Sequence, residues 1–324
     1  MSGEPRIYAK PALDEAALLA RWQERGLQIS DELRAQRYLR HIGYYRLSAY
    51  VRSFETGERD ILRDGTEFND VLGLYVFDRR LRLHVLDAIE RVEIGLRAAI
   101  TDHMALIAGP HWYEDGVHFA VQSVHDRLLG DVDRMLTDQR RRRPETALGS
   151  DRFASALDHY VATFDEPSRP PTWIVFEELT FGTTMLVYDV LADKRVKSSI
   201  AASLGVVPPV LSSWLKSYQR VRNICAHHGR LWNRGLGVYP VLPRSQSIRW
   251  LVQPTVITAE PWRRQRLYPV LVSLQTILHT ISPSSTWAPR LRDLLEASPE
   301  VPLRGMGIPE GWFTDPFWPD GSTR

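Results

Sequence analysis

Residues 68–106 have the sequence FNDVLGLYVFDRRLRLHVLDAIERVEIGLRAAITDHMAL, and this stretch carries the strongest periodic signal in the chain. Apolar residues recur in it at steps of three, four or seven: Leu74, Leu81, Val85, Ile89, Val92, Leu96 and Ile100. Such spacing places apolar side chains on one face of an α-helix. Because the stretch contains no proline, it predicts one long helix that ends before Gly109-Pro110.

The rest of the chain has mostly helical patterns, and we therefore predict an all-α fold. Further helices are expected at 13–25, 31–42, 121–143, 151–164, 172–179, 183–203, 209–229, 263–281 and 288–297. The segment Ile248–Val252 is β-prone, and the tail after Pro299 is either disordered or held in place by Trp312 and Trp318. We expect a single protein over residues 1–324, with an N-terminal helical segment at 8–57, a helical core at 68–234 and a less regular C-terminal region at 235–324.

Composition excludes several classes of protein. The chain has 324 residues, of which 44% are hydrophobic and 25% charged, as in an ordinary globular protein. Its formal charge is only +2, so any basic surface for nucleic acid would have to be local. A single cysteine, Cys225, excludes an intrachain disulfide and any zinc site that needs two thiolates. No secretory signal and no long apolar run is present, so we expect a cytoplasmic protein without a membrane span.

The segment most informative about function is RVRNICAHHGRLWNR, residues 220–234. On a helix that begins near Pro209, the apolar stripe consists of Leu211, Trp214, Tyr218, Val221 and Cys225. Asn223 and His227 are neighbours four residues apart and point away from this stripe, whereas Arg222 lies about 140° around the axis from His227. One ideal helix would not aim Arg222 and His227 at the same atom. A shared site requires a distorted last turn or a second copy of the helix.

These residue types suit cleavage of a phosphodiester bond. A histidine can move protons near neutral pH, and an arginine can grip the phosphate with two donors. Asparagine can orient either group. In RNA the 2′-hydroxyl supplies the nucleophile, so no metal or cofactor is required. The spacing alone is weak evidence, because a helix end where histidines complement the helix dipole has the same pattern.

The segment RNICAHHGRLWNR resembles the signature of the Abi family, the abortive-infection proteins of the AbiD/AbiF type, which belong to the HEPN superfamily. Other stretches resemble the family in the same order along the chain: Lys10-Pro11, Arg25-Gly26-Leu27, Arg37-Tyr38-Leu39, Ile42 to Ser48, Phe77-Asp78-Arg79, Ala88 to Glu93, Pro171-Thr172-Trp173, Glu178-Leu179, Phe181-Gly182 and Met306 to Pro309 with Trp312. The resemblance covers nearly the whole chain.

The resemblance implies a HEPN-like helical bundle and a metal-independent endoribonuclease with Arg222, Asn223 and His227 at its site. His228 is the next candidate histidine. HEPN ribonucleases usually build their site where two units pair. Since this chain has one clear motif, the resemblance implies a homodimer. It also implies a role in phage defence or a toxin-like system, and RNA as the partner, either as substrate or as a structured small RNA.

Three other features have both a structural and a functional interpretation. Glu90 lies among arginines and either forms helix-surface ion pairs or braces Arg222. The run Arg140, Arg141, Arg142 and Arg143 is either a solvated helix end or a contact to RNA phosphates. Tyr45 and Arg46 lie in an aromatic stretch that either packs in the core or stacks on RNA bases.

Two alternatives to catalysis remain open at this point. The same residues suit a non-catalytic, regulatory protein that binds RNA without cutting it. They also suit a purely structural interaction module, which would have no affinity for RNA.

Overall fold

A computed structural model describes residues 11–58, 60–142 and 153–319. Within these ranges the chain forms thirteen α-helices and no strand, only three isolated β-bridges. The helices are α1 (Glu15–Gln23), α2 (Glu32–Ile42), α3 (Tyr44–Val51), α4 (Phe68–Ala108), α5 (Gln122–Arg142), α6 (Ala156–Thr163), α7 (Thr172–Glu178), α8 (Phe181–Val190), α9 (Lys194–Ser203), α10 (Pro208–Ala226), α11 (Thr255–Thr258), α12 (Tyr268–Ile281) and α13 (Trp287–Glu296). The predicted all-α fold is confirmed.

The chain forms two compact units, residues 1–80 and residues 81–324. The boundary between them lies inside α4, so no separate linker joins the two units. The division into segments 8–57, 68–234 and 235–324 stays a prediction, and residues 8–10 of the first segment lie outside the described residues.

The long helix α4 confirms the prediction made from its periodicity. All seven apolar residues of the predicted stripe are buried. The helix ends directly before Gly109, which adopts a positive φ of 85°. This conformation is open to glycine at no steric cost and stops the helix.

The first unit is built around aromatic side chains of α1 to α3. Trp22 is fully buried and stacks on Tyr44 with 4.8 Å between ring centroids. The hydroxyl of Tyr50 donates a 2.6 Å hydrogen bond to the buried carboxylate of Asp78. Gly43, with a φ of 93°, forms the sharp junction between α2 and α3.

The second unit has α10 and α12 at its core. Eleven residues of α12, from Tyr268 to Leu278, are buried. Helix α10 packs against α8, α9 and α12, and it buries Trp214 and Tyr218 completely. Because each fully buried large apolar side chain contributes about 1.5–3 kcal/mol, this packing fixes the position of α10 firmly.

Two predicted helices are each divided in two because local signals interrupt them. The expected helix at 183–203 is divided into α8 and α9, because Asp193 accepts hydrogen bonds from the backbone N–H groups of Arg195 and Val196 and so starts a new helix. The expected helix at 263–281 is divided into a 3₁₀ turn at Pro261–Gln265 and α12, which carries a proline in its first turn.

The C-terminal region contains no strand at the β-prone segment Ile248–Val252. Its backbone groups bond to side chains instead, since Asp315 accepts the N–H of Val252 and Thr276 donates to the carbonyl of Arg249. Up to residue 319 the tail is held in place, as one of the two predictions stated, and residues 320–324 lie outside the described residues. Trp312 and Trp318 are buried and meet edge to face at 4.7 Å.

No single helix in the described ranges is both long enough and apolar enough to cross a bilayer. Helices α9 and α10 satisfy the length and composition criteria only as a pair, across a bend of 63°.

The burial of two histidine side chains, His84 and His279, makes the stability of the fold depend on pH. His84 stacks on Trp287 with 4.9 Å between ring centroids, and its Nε2 atom is buried without a hydrogen-bond partner. Burial, followed by the nearby charge of Arg290, lowers the pKa of His84 from 6.5 to about 4. Burial also lowers the pKa of His279 to about 4, beside Arg249. The folded protein therefore holds both imidazoles neutral.

We expect the free energy of unfolding to fall as pH is lowered from 6.5 towards 4. In this window the unfolded chain takes up protons that the folded chain does not, and each histidine removes up to roughly 2 kcal/mol at about pH 5. Urea denaturation followed by circular dichroism at several pH values measures this. His84→Phe keeps the stack without the titrating group, so it should flatten the dependence; an unchanged slope in this variant would contradict the assignment.

Candidate active site

The sequence of α10 places its polar residues on the outer face of the helix. The predicted apolar stripe is confirmed, because all five of its residues are at most 2% exposed. Pro208 and Pro209 occupy the first turn, where their lack of an N–H costs no helical hydrogen bond. Arg222, Asn223 and His227 are exposed. The buried stripe therefore presents these three side chains to solvent.

The end of α10 is distorted at the histidine pair. The helix stops at Ala226, three residues before the predicted Gly229, and His227 is its C-cap. His228 adopts a left-handed conformation with a φ of 56°. The N–H of Gly229 bonds to the carbonyl of Ile224, and the N–H of His228 bonds to that of Cys225. This is a Schellman motif in which histidine occupies the position that glycine usually takes.

Arg222 and Asn223 line a cleft of about 310 Å³ beside α10. The opposite walls come from α4 and from the connection between α7 and α8. The complete lining is Glu93, Arg97, Glu177, Glu178, Leu179, Thr180, Phe181, Gly182, Gln219, Arg222 and Asn223. Five of these residues carry charge and three of the other six have polar side chains, so the cleft is suited to a polar ligand.

Arg97 holds two walls of the cleft together. Its Nη2 donates to the carboxylate of Glu93 at 2.6 Å and to the carbonyl of Leu179 at 2.7 Å. Its Nη1 donates to the carbonyl of Glu177 at 3.2 Å. The side chains of Arg97 and Glu93 are only 14% and 16% exposed. The guanidinium thus ties α4 to the α7–α8 connection.

Gln219 and Gly182 fit closely on the floor of the cleft. A Cβ atom at Gly182 would lie 2.4 Å from the Nε2 atom of Gln219. Any larger residue at position 182 would therefore displace this amide. Glu177 and Glu178 are exposed on the wall, while Glu93 is already neutralised by Arg97. The cleft of one chain thus offers a single guanidinium, that of Arg222, against two exposed carboxylates.

The structure brings together only part of the predicted site. Arg222 and Asn223 share the cleft, whereas His227 and His228 lie at the helix end and are not among its lining residues. Glu90 is exposed and is likewise not among them. The α4 carboxylate in the cleft is Glu93, one turn later.

The other predicted RNA contacts are not among the residues that line this cleft, or they lie outside the described residues. Arg140, Arg141 and Arg142 form the exposed last turn of α5, and Arg143 lies outside the described residues. Tyr45 is 77% exposed and meets Tyr44 edge to face, and Arg46 beside it is half-buried. Both belong to the first unit.

Sequence reasoning missed Arg97, Gln219 and the role of Glu93. The spacing of Glu93 and Arg97, four residues apart on a helix, indicates an ion pair, but nothing local shows that the pair faces α10. In the described part of the chain, no group of three or more histidine, cysteine, aspartate or glutamate side chains is arranged to hold a metal ion.

Comparison with known families gives one match: the family described as Abi-like protein matches residues 37–233. The match covers more than half of the chain, including α4, the cleft and the histidine pair. The chain belongs to the Abi-like protein family. This membership associates it with abortive infection, a form of phage defence. No curated protein and no solved structure matches the chain.

We expect Arg97→Lys to lower the free energy of unfolding by about 1–3 kcal/mol, because one ammonium cannot reproduce the three fixed contacts and leaves buried carbonyls unsatisfied. Arg134→Lys is the matched control, since Arg134 also pairs with a carboxylate on its own helix, that of Asp131, but its side chain is 71% exposed. Its cost should be below about 0.5 kcal/mol. Equal costs for the two variants would show that Arg97 does not hold the walls together.

The left-handed conformation at position 228 predicts an order of stability for two variants. His228→Gly and His228→Ala both remove the imidazole, but only alanine keeps the Cβ atom that strains this conformation. The glycine variant should therefore be more stable by about 1 kcal/mol in urea denaturation. If the alanine variant is as stable, residue 228 is not left-handed in solution.

Proposed function

We propose that the chain is a metal-independent endoribonuclease of an abortive-infection system, with a composite active site formed by two copies. The observation that carries the proposal is the exposure of Arg222 and Asn223 in a polar cleft, one helical turn before the exposed His227. These are the residue types that RNA cleavage through the 2′-hydroxyl requires.

The homodimer is part of the proposal because one chain leaves the site incomplete. His227 caps the helix and lies outside the residues that line the cleft with Arg222. The exposed carboxylates of Glu177 and Glu178 also weaken the attraction of a single cleft for phosphate. A second copy would supply a second Arg222 and a second His227 to one phosphodiester. We place this complex in the cytoplasm, where RNA is available.

The proposed chemistry needs no group beyond the chain and its RNA. One His227 imidazole removes the proton of the 2′-hydroxyl, and the 2′-oxygen attacks the adjacent phosphorus. The bond between phosphorus and the 5′-oxygen breaks, and the partner's His227, protonated, gives its proton to that oxygen. The products are a 2′,3′-cyclic phosphate and a 5′-hydroxyl. Arg222 holds the phosphate oxygens, and Asn223 orients the imidazole or the phosphate.

We expect the purified full chain to cleave RNA in the presence of EDTA, and His227→Ala to lower the rate by about 10²–10⁴-fold. The measurement is the appearance of product ending in a 2′,3′-cyclic phosphate. His41→Ala removes an exposed histidine of α2 and should leave the rate unchanged. The rate per chain should also rise with protein concentration until the dimer saturates. Undiminished cleavage by His227→Ala would refute the catalytic assignment.

A second function is favoured by the separation of His227 from the cleft. In a non-catalytic, regulatory protein, Arg222 and Asn223 would hold the phosphate of a structured small RNA without cutting it. Arg222→Ala would then weaken RNA binding, but no cleaved product would form even at a large excess of wild-type protein. Product formation by the wild type therefore decides between the two functions.

A further inference from the structure

A cluster of arginines surrounds one tryptophan in the C-terminal region. The sequence Pro261-Trp262-Arg263-Arg264-Gln265 forms a 3₁₀ turn before α12, and Arg266 follows it directly. The guanidinium carbons of Arg263, Arg266 and Arg304 lie 5.3, 5.7 and 5.4 Å from the centroid of the Trp262 ring. Arg304 and Arg264 are exposed. We call Trp262, Arg263, Arg264, Arg266 and Arg304 the Trp262 cluster.

Several contacts fix the cations in place. Arg263 pairs with Glu260 at 3.3 Å, and Arg266 donates to the side-chain oxygen of Asn233 at 3.3 Å. Gly307 has a φ of 76°, and a Cβ atom there would lie 2.8 Å from the Cβ of Arg266. The backbone of the tail therefore packs directly against the stem of this arginine.

The grouping of like charges needs a compensating interaction. Three guanidiniums around one ring repel each other, and contact with the indole face returns only about 0.5–1 kcal/mol for each exposed cation. Arg263 has a carboxylate partner in Glu260, but the exposed Arg304 faces solvent above the ring. An anion with several oxygens would relieve the repulsion and accept forked hydrogen bonds.

A groove of about 400 Å³ runs beside the cluster. It is lined by Glu260, Arg263, Leu303, Arg304, Ile308 and Glu310. Its two carboxylates repel carboxylates and phosphates alike, so an occupant has to present hydrogen-bond donors to them and acceptors to the arginines, whereas acidic side chains offer acceptors only. The same carboxylates can accept hydrogen bonds from the exocyclic amino groups of unpaired bases, while the arginines hold phosphates. The lining therefore favours a single-stranded nucleic acid over an acidic protein segment.

The cluster is joined to the loop that follows the histidine pair. Asn233, which bonds to Arg266, comes only a few residues after His228. The indole N–H of Trp232 donates to the carbonyl of Pro302 at 3.2 Å. A Cβ atom at Gly305 would lie 3.0 Å from the Cβ of Asn233, so the two segments are in close contact.

We propose that the Trp262 cluster binds the phosphate backbone of a single RNA strand that continues from the site at Arg222 and His227. This assignment rests on the proposed function and extends it to a second surface. The whole cluster lies beyond residue 233, where the family match ends. The arginine run at 263–266 is visible in the sequence, but the approach of Arg304 to Trp262 depends on the tertiary fold.

The experiment measures binding rather than cleavage. Every protein carries His227→Ala, and the probe is a fluorescent, single-stranded 2′-O-methyl RNA, which has no free nucleophile. Binding is followed by anisotropy at several salt concentrations. Arg304→Glu should raise the dissociation constant by about ten-fold, and the slope of log affinity against log salt should become shallower by roughly one. Arg264→Glu is a second variant at an exposed position and should act in the same direction.

The matched control is Arg195→Glu, which makes the same charge change at an exposed position in the first turn of α9. It should leave both the affinity and the salt slope close to those of the parent. Circular dichroism verifies that each variant is folded.

Three results would overturn the assignment. These are the absence of RNA binding by the parent protein, an equal loss of RNA affinity in Arg304→Glu and Arg195→Glu, and displacement of the RNA by polyglutamate at equal charge concentration. The last result would indicate a surface for acidic proteins. The cleavage assay tests the nuclease proposal separately: if His227→Ala cleaves RNA as fast as the wild type, that proposal fails. The binding result does not depend on this outcome.

Discussion

The candidate site depends on the ion pair between Arg97 and Glu93. Taking a guanidinium and a carboxylate out of water costs several kcal/mol each, and this cost is offset only when hydrogen bonds satisfy the remaining donors. The carbonyls of Glu177 and Leu179 accept hydrogen bonds from the two terminal nitrogens of Arg97, whereas its Nε atom is buried without a hydrogen-bond partner. The arrangement fixes the α7–α8 connection against α4, and that connection forms the wall that faces Arg222.

The elements that can be predicted from the sequence are those set by local spacing. The stripe of α10 and the course of α4 follow from apolar periodicity, which survives in any helix that must bury one face. The start of α9 after Asp193 was missed, although the signal for it is local: an aspartate followed by helix-forming residues is a common helix start. The cleft, in contrast, could not be predicted from the sequence. The cleft forms because the Glu93–Arg97 pair contacts the α7–α8 connection, which lies some eighty residues later in the chain. No local sequence pattern predicts that contact.

The end of α10 shows a different limit of sequence reasoning. Glycine preference pointed to Gly229 as the stop, but the chain turns at His228. The backbone hydrogen bonds from His228 and Gly229 stabilise the turn enough to hold a histidine in a conformation that glycine would adopt freely. Strain of this kind is tolerated where the surrounding structure determines the backbone, and it often accompanies functional positions. The motif distorts the last turn of α10, but His227 is still not among the residues that line the cleft with Arg222.

The burial of Cys225 has a practical consequence for studying assembly. Its thiol is 2% exposed within the stripe of α10, so reagents in solution reach it poorly. A cysteine introduced at a chosen surface position would then be the one readily modified thiol among the described residues. A spin label attached there reports the distance between equivalent positions in two copies by dipolar spectroscopy. Cys225 therefore does not have to be substituted before labelling, and the packing of α10 stays intact during the measurement.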